Sequence, residues 1–116
     1  MKRIILALAL MLAAPLAWAE AFRAIDGSTI AVAASTSNAT GTFVNAPVGP
    51  EFQARVYNAC TTTAFIRFNG VATTSNIPIP AGVVEVYTVA INSTSIGVIL
   101  ASGSGCNVYV TLGRGE

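Results

Sequence analysis

Beyond residue 19 the 116-residue chain carries two cysteines (Cys60 and Cys106), four arginines, five carboxylates and no histidine, and Lys2 is its one lysine. Acid–base catalysis needs a group titrating near neutrality or two carboxylates converging on one site. The acids Glu20, Asp26, Glu51, Glu85 and Glu116 are scattered along the chain, and Asp26 before Gly27 reads as a turn residue. Serine or threonine nucleophiles need a histidine or lysine base, and beyond residue 19 neither occurs. Two cysteines without histidine or a CxxC spacing cannot fill the four positions of a zinc site. No glycine-rich loop follows a strand and opens a helix to cradle phosphate. The chain therefore reads as non-enzymatic, with no catalytic, cofactor-binding or metal-ligating residue. The chemistry left to Cys60 and Cys106 is with each other.

That pairing depends on the compartment. Met1-Lys2-Arg3, an apolar run over 4–16 and Ala17-Trp18-Ala19 are the basic start, apolar centre and small-x-small end of a secretory signal peptide. Residues 1–19 are expected to form a signal helix, with cleavage between Ala19 and Glu20. The alternative is a retained anchor, but 4–19 falls short of the roughly 20 residues needed to cross a bilayer. Export to the periplasm or the extracellular space makes an even cysteine count read as one disulfide. The competing reading is two separate buried thiols packed as small hydrophobes.

The 97 residues 20–116 suffice for one domain. Nine charges in that stretch leave no clustered basic face for nucleic acid, and an apolar share of 53% over the whole chain excludes a disordered polyampholyte. A membrane would be met only through an uncleaved leader. Twelve Thr, eight Ser and seven Asn beyond residue 19 must supply most outward positions. Such a weakly charged surface does little to prevent strand or face packing between copies.

No helical period appears after the leader. Thr, Val, Ile and aromatic residues in short runs, punctuated by Gly, Pro and Asn every eight to twelve residues, predict an all-β sandwich of jelly-roll or Greek-key type. Strands are expected over 28–34, 42–45, 52–59, 64–69, 83–91, 96–101 and 106–112, with 35–42 a loop and 71–80 irregular. Phe52, Ala54, Val56 and Cys60 share one parity, as do Cys106, Val108, Val110 and Leu112, so both cysteines face the core at neighbouring strand ends. The near-continuous apolarity of 83–91 predicts a strand covered on both faces. An immunoglobulin domain is unsupported, since no Trp follows Trp18 and Ser104 stands where a Tyr is required.

Arg55 and Arg67 alternate with Tyr57, Phe65 and Phe68 on two strands read as adjacent, and Tyr109 faces outward on the last strand. Arginine and aromatic residues are enriched at protein interfaces, which makes Arg55, Tyr57, Phe65, Arg67 and Tyr109 a candidate interface. The alternative is a solvated face on which Glu85 pairs one arginine across strands. The glycan-acceptor patterns at Asn38 and Asn92 are discounted as chance matches in Asn-rich turns.

Two stretches carry a wider likeness. One is Thr63-Ala64-Phe65-Ile66-Arg67-Phe68-Asn69-Gly70, continuing through Ile77-Pro78-Ile79-Pro80-Ala81-Gly82-Val83-Val84-Glu85-Val86-Tyr87. The other is Asn107-Val108-Tyr109-Val110-Thr111-Leu112-Gly113-Arg114-Gly115-Glu116. Together they resemble the small β-sandwich structural proteins of tailed bacteriophages, of the head-decoration or cement type. The resemblance implies a non-enzymatic structural protein whose partners are other proteins, by self-association or within a larger assembly such as a capsid. With a leader ahead of it, the domain reads as an exported assembly subunit, with the virion as the alternative location. A second reading is an exported monomeric module for a carbohydrate or small ligand, with its site at the Arg–aromatic positions and the 71–79 loop. Intact mass of the protein recovered from an expressing bacterium should begin at Glu20; a full-length mass from membrane fractions would show a retained anchor.

Overall fold

The structure, a computed structural model, describes residues 22–47 and 51–115. The signal helix expected over 1–19 and its cleavage point at Ala19 and Glu20 lie outside the described residues. Within them the chain has nine strands and no helix: β1 (Arg23–Ala24), β2 (Ile30–Ser35), β3 (Ala39–Thr42), β4 (Phe52–Asn58), β5 (Ala64–Phe68), β6 (Ile77–Ile79), β7 (Val84–Val89), β8 (Ser95–Leu100) and β9 (Ser104–Arg114).

The strands form two antiparallel sheets packed as a sandwich. One runs β1-β9-β4-β7, with β2 also paired to β9; the other runs β3-β8-β5-β6. Alternation dictates the packing, because successive strand side chains point to opposite faces. On β4, Phe52, Ala54 and Val56 are buried while Arg55 and Tyr57 are exposed. On β9, Val108, Val110 and Leu112 turn inward against them. From the facing sheet come Ala64, Ile66, Ile79, Ile96, Val98 and Leu100, all at most 2% exposed. Phe43, Phe52, Phe68 and Tyr87 close one end of this core through a chain of ring contacts with centroids 6.0–6.4 Å apart.

The two cysteines sit at the other end. β4 pairs with β9 in a register that sets Asn58 against Val108, so two residues further on Cys60 meets Cys106. They form a disulfide with Cα atoms 5.4 Å apart and a sequence separation of 46. Closing a loop of that length stabilises the fold by about 4 kcal/mol in the chain-entropy account.

Two buried polar side chains complete the backbone pairing. Asn58 is fully buried. Its amide donates to the Thr62 and Ile79 carbonyls, both at 2.9 Å, and its side-chain oxygen accepts from the Cys60 N–H at 2.9 Å. One side chain thus holds the turn after β4 and ties it to β6 of the other sheet. Ser28 lies where the chain steps out of register between β1 and β2. Its hydroxyl donates to the Ile25 carbonyl at 2.6 Å and accepts from the Leu112 N–H at 3.0 Å, standing in for the missing rung on β9.

Four sequence expectations are corrected. The short strand expected at 42–45 lies at β3, inside the stretch read as loop, because Phe43 turns into the core and Asn45 takes a left-handed φ of 54°. Ile77–Ile79 is a strand despite Pro78: it is an edge of its sheet, where a missing donor costs no ladder bond. The two-residue β1 has no expected counterpart. Most consequentially, β7 is not covered on both faces. It is the edge of the five-stranded sheet, and Val84 and Val86 are 50% and 47% exposed.

Reducing the disulfide should lower stability by about 2–5 kcal/mol. Asn58→Leu, which strands two carbonyls and an N–H, should cost at least about 3 kcal/mol, since each buried unpaired group costs roughly 1–3. Denaturant titration of the protein, with non-reducing mass spectrometry to confirm a mass two units below the dithiol, checks both.

Candidate interaction face

The two outer faces of the sandwich differ, and the cause is local. On the four-stranded sheet, Gly97 of β8 points outward. A side chain there would collide with the Gly70 carbonyl and the Ala72 amide. The connection between β5 and β6 therefore lies flat against the sheet. The Ala72 N–H donates to the Asn38 side-chain oxygen at 2.8 Å, and Ala72 is buried. At the start of the same connection Asn69, with φ 57°, accepts from the Thr94 N–H at 2.8 Å and donates to the Ser93 hydroxyl at 2.9 Å. This face is strapped.

Among the described residues no such strap crosses the outer face of the five-stranded sheet. Register places Tyr109 of β9 opposite Tyr57 of β4, and Tyr57 opposite Val84 of β7, so the three stand in one row across the sheet with Ala31 of β2 beside Tyr109. The Tyr57 and Tyr109 rings stack, with centroids 6.2 Å apart and planes at 17°. The next row holds Val86, Arg55 and Thr111, the last joined to Thr29 by a 2.8 Å hydroxyl pair. At the far end Phe22 lies over Gly113, where a side chain would strike its ring, and Arg55 sits over that ring at 5.2 Å from the centroid. Tyr57, Tyr109, Val84 and Val86 are all exposed.

The five candidate interface residues therefore divide. Arg55, Tyr57 and Tyr109 share the open face. Phe65 and Arg67 do not, because β4 and β5 belong to different sheets rather than lying side by side; the 71–79 loop goes with them to the opposite side. Glu85 does not pair Arg55 either: its cross-strand neighbour is Val56, so its side chain leaves the sheet on the inner side. Beside it Tyr87 packs on Phe68, and burial, with a smaller contribution from Glu85, raises the phenol pKa above the usual tyrosine value. The hydroxyl thus stays a neutral donor at physiological pH. Val84, Val86, Ala31 and Phe22 were missed. The alternation of Val84 and Val86 about Glu85 was the available signal, obscured by the apolar residues on both sides.

A concavity lies at the disulfide end. A pocket of about 270 Å³ is lined by Thr61, Thr62, Ser102, Ser104 and the backbone of Gly103 and Gly105, with the Cys60–Cys106 bond in its wall. The Thr62 hydroxyl donates to the Ser102 carbonyl at 2.7 Å across it. Comparison with protein-family models, with curated proteins and with solved structures finds no match to this chain.

The Tyr57–Tyr109 pair is a surface feature. Tyr57→Ser with Tyr109→Ser should cost about 1 kcal/mol in urea unfolding, whereas Ile66→Ala on the inner face should cost about 2–5 kcal/mol. A pair loss as large as that of Ile66 would make the tyrosines structural.

Proposed function

We propose that this chain is an exported, non-enzymatic structural protein: an assembly subunit, of the virion decoration or cement kind in pattern, that docks on protein partners through a sheet face. The observation that carries this reading is the asymmetry of the two outer faces, one strapped by its own loop and the other left open. Exposed apolar patches rimmed by polar residues mark interaction surfaces, and the open face supplies two Tyr and a central Arg, residue types that anchor protein interfaces, with Val84 and Val86 adding apolar area. The Cys60–Cys106 bond suits an oxidising compartment and supports export, as does the leader pattern of residues 1–19. Passage of the chain from sheet to sheet at most connections suits the jelly-roll or Greek-key arrangement of that group.

A second reading is favoured by the pocket at the disulfide end. Its hydroxyls and glycine backbone suit a small polar ligand, such as a sugar bound by a monomeric exported module. Size-exclusion chromatography with electron microscopy of the mature protein separates the two. Regular assemblies that are lost in the Tyr57→Ser, Tyr109→Ser pair support the first reading. A monomer that retains a glycan or metabolite, released by Thr62→Val, supports the second.

A further inference from the structure

We propose that two copies of this chain pair through the outer edge of β7, antiparallel about a two-fold axis at Val86, so that their five-stranded sheets join into one continuous sheet. This rests on the assembly reading and names the partner as a second copy.

Backbone direction identifies the free groups. The Asn58 N–H donates to the Val83 carbonyl at 3.1 Å, so Val83 faces β4. By the alternation of antiparallel ladders, Glu85, Tyr87 and Val89 also face β4. Val84, Val86 and Thr88 then direct N–H and C=O away from the sheet. No strand among the described residues pairs with that edge.

The other edges are blunted. β6 has three residues with Pro78 at its centre, and β3 has four including Gly41. β2 has six residues and no charge, but its register shifts between Ala34 and Ser35 and β3 lies against it where the chain passes between sheets. β7 has six residues, no Pro or Gly and a single charge. Natural edges are protected by shortness, proline and charge, and β7 has little of this protection.

The strand is also self-complementary. Outward groups must meet outward groups, so a two-fold axis falls on one of the residues from Val84 to Thr88. Centring on Glu85 sets that carboxylate against its own copy, and centring on Tyr87 sets it against the buried Val89. Centring on Val86 engages Val84, Val86 and Thr88 together. Val84 then lies opposite Thr88 of the copy, Val86 opposite itself, and Glu85 opposite Tyr87, whose neutral hydroxyl can donate to the carboxylate. Val86 lies on the open face, so the join brings the two apolar faces edge to edge. A mature chain with four arginines against five carboxylates adds little charge repulsion.

The test uses the mature protein, whose native cysteines are bonded to each other. Val86→Cys should yield a covalent dimer on a non-reducing gel. Thr88→Cys, four residues from its copy in this register, should not. The unsubstituted protein should sediment as a dimer or larger, and Val86→Lys should halve the dimer mass while keeping its β spectrum. A monomeric unsubstituted protein at all concentrations, equal cross-linking at 86 and 88, or an intact Val86→Lys dimer would overturn the pairing. Larger assemblies that survive Val86→Lys but not the paired tyrosine substitutions would retain face docking while removing the edge pairing.

Discussion

The pairing of β4 with β9 is the constraint on which the remainder of the fold depends. It runs through the middle of the five-stranded sheet, and its register fixes which side of each strand faces the core. A slip of β4 by one residue would turn Phe52, Ala54 and Val56 outward while Val108, Val110 and Leu112 stayed inward. The Cys60–Cys106 bond lies on the same register line and makes that slip covalently impossible. Everything in the sheet is referred to this pair: β7 to β4, and β1 and β2 to β9.

Around that frame, side-chain amides and hydroxyls do what longer loops or ion pairs do elsewhere. Asn58 binds the turn after β4 to the other sheet, Ser28 bridges the register step on β9, and Asn69 gathers the turn between β7 and β8. Each is a short polar residue meeting backbone groups that would otherwise be buried unpaired. A chain with few charges thus obtains its specificity from neutral hydrogen bonds, which salt does not screen.

Much of this was legible in the sequence. Strict alternation on β4 and β9 marked the core face and placed both cysteines at one end, because a half-buried strand has an unambiguous period of two. The all-β sandwich followed from the same pattern. What stayed hidden depends on neighbours distant in sequence. Assigning β5 to the sheet opposite β4 splits Phe65 and Arg67 from Arg55, Tyr57 and Tyr109, and no local pattern states which sheet a strand joins. The apolar run of β7 looks the same whether a partner covers it or it lies at an edge. Gly97 gave no sign that a loop twenty-odd residues earlier in the chain would lie across it.

The position of β9 has a consequence for the order of events in folding. It is the ninth strand in sequence, yet it lies between β4 and the β1–β2 pair. Until it emerges, β1 and β2 have no ladder to join, β4 has one neighbour instead of two, and Cys60 has no partner. A chain delivered from its N-terminus by a ribosome therefore keeps its five-stranded sheet incomplete until β9 arrives. Closure of the five-stranded sheet and oxidation of the cysteine pair then become a single late step. Such topology postpones native closure until β9 is available, and with it the pairing of Cys60 with Cys106.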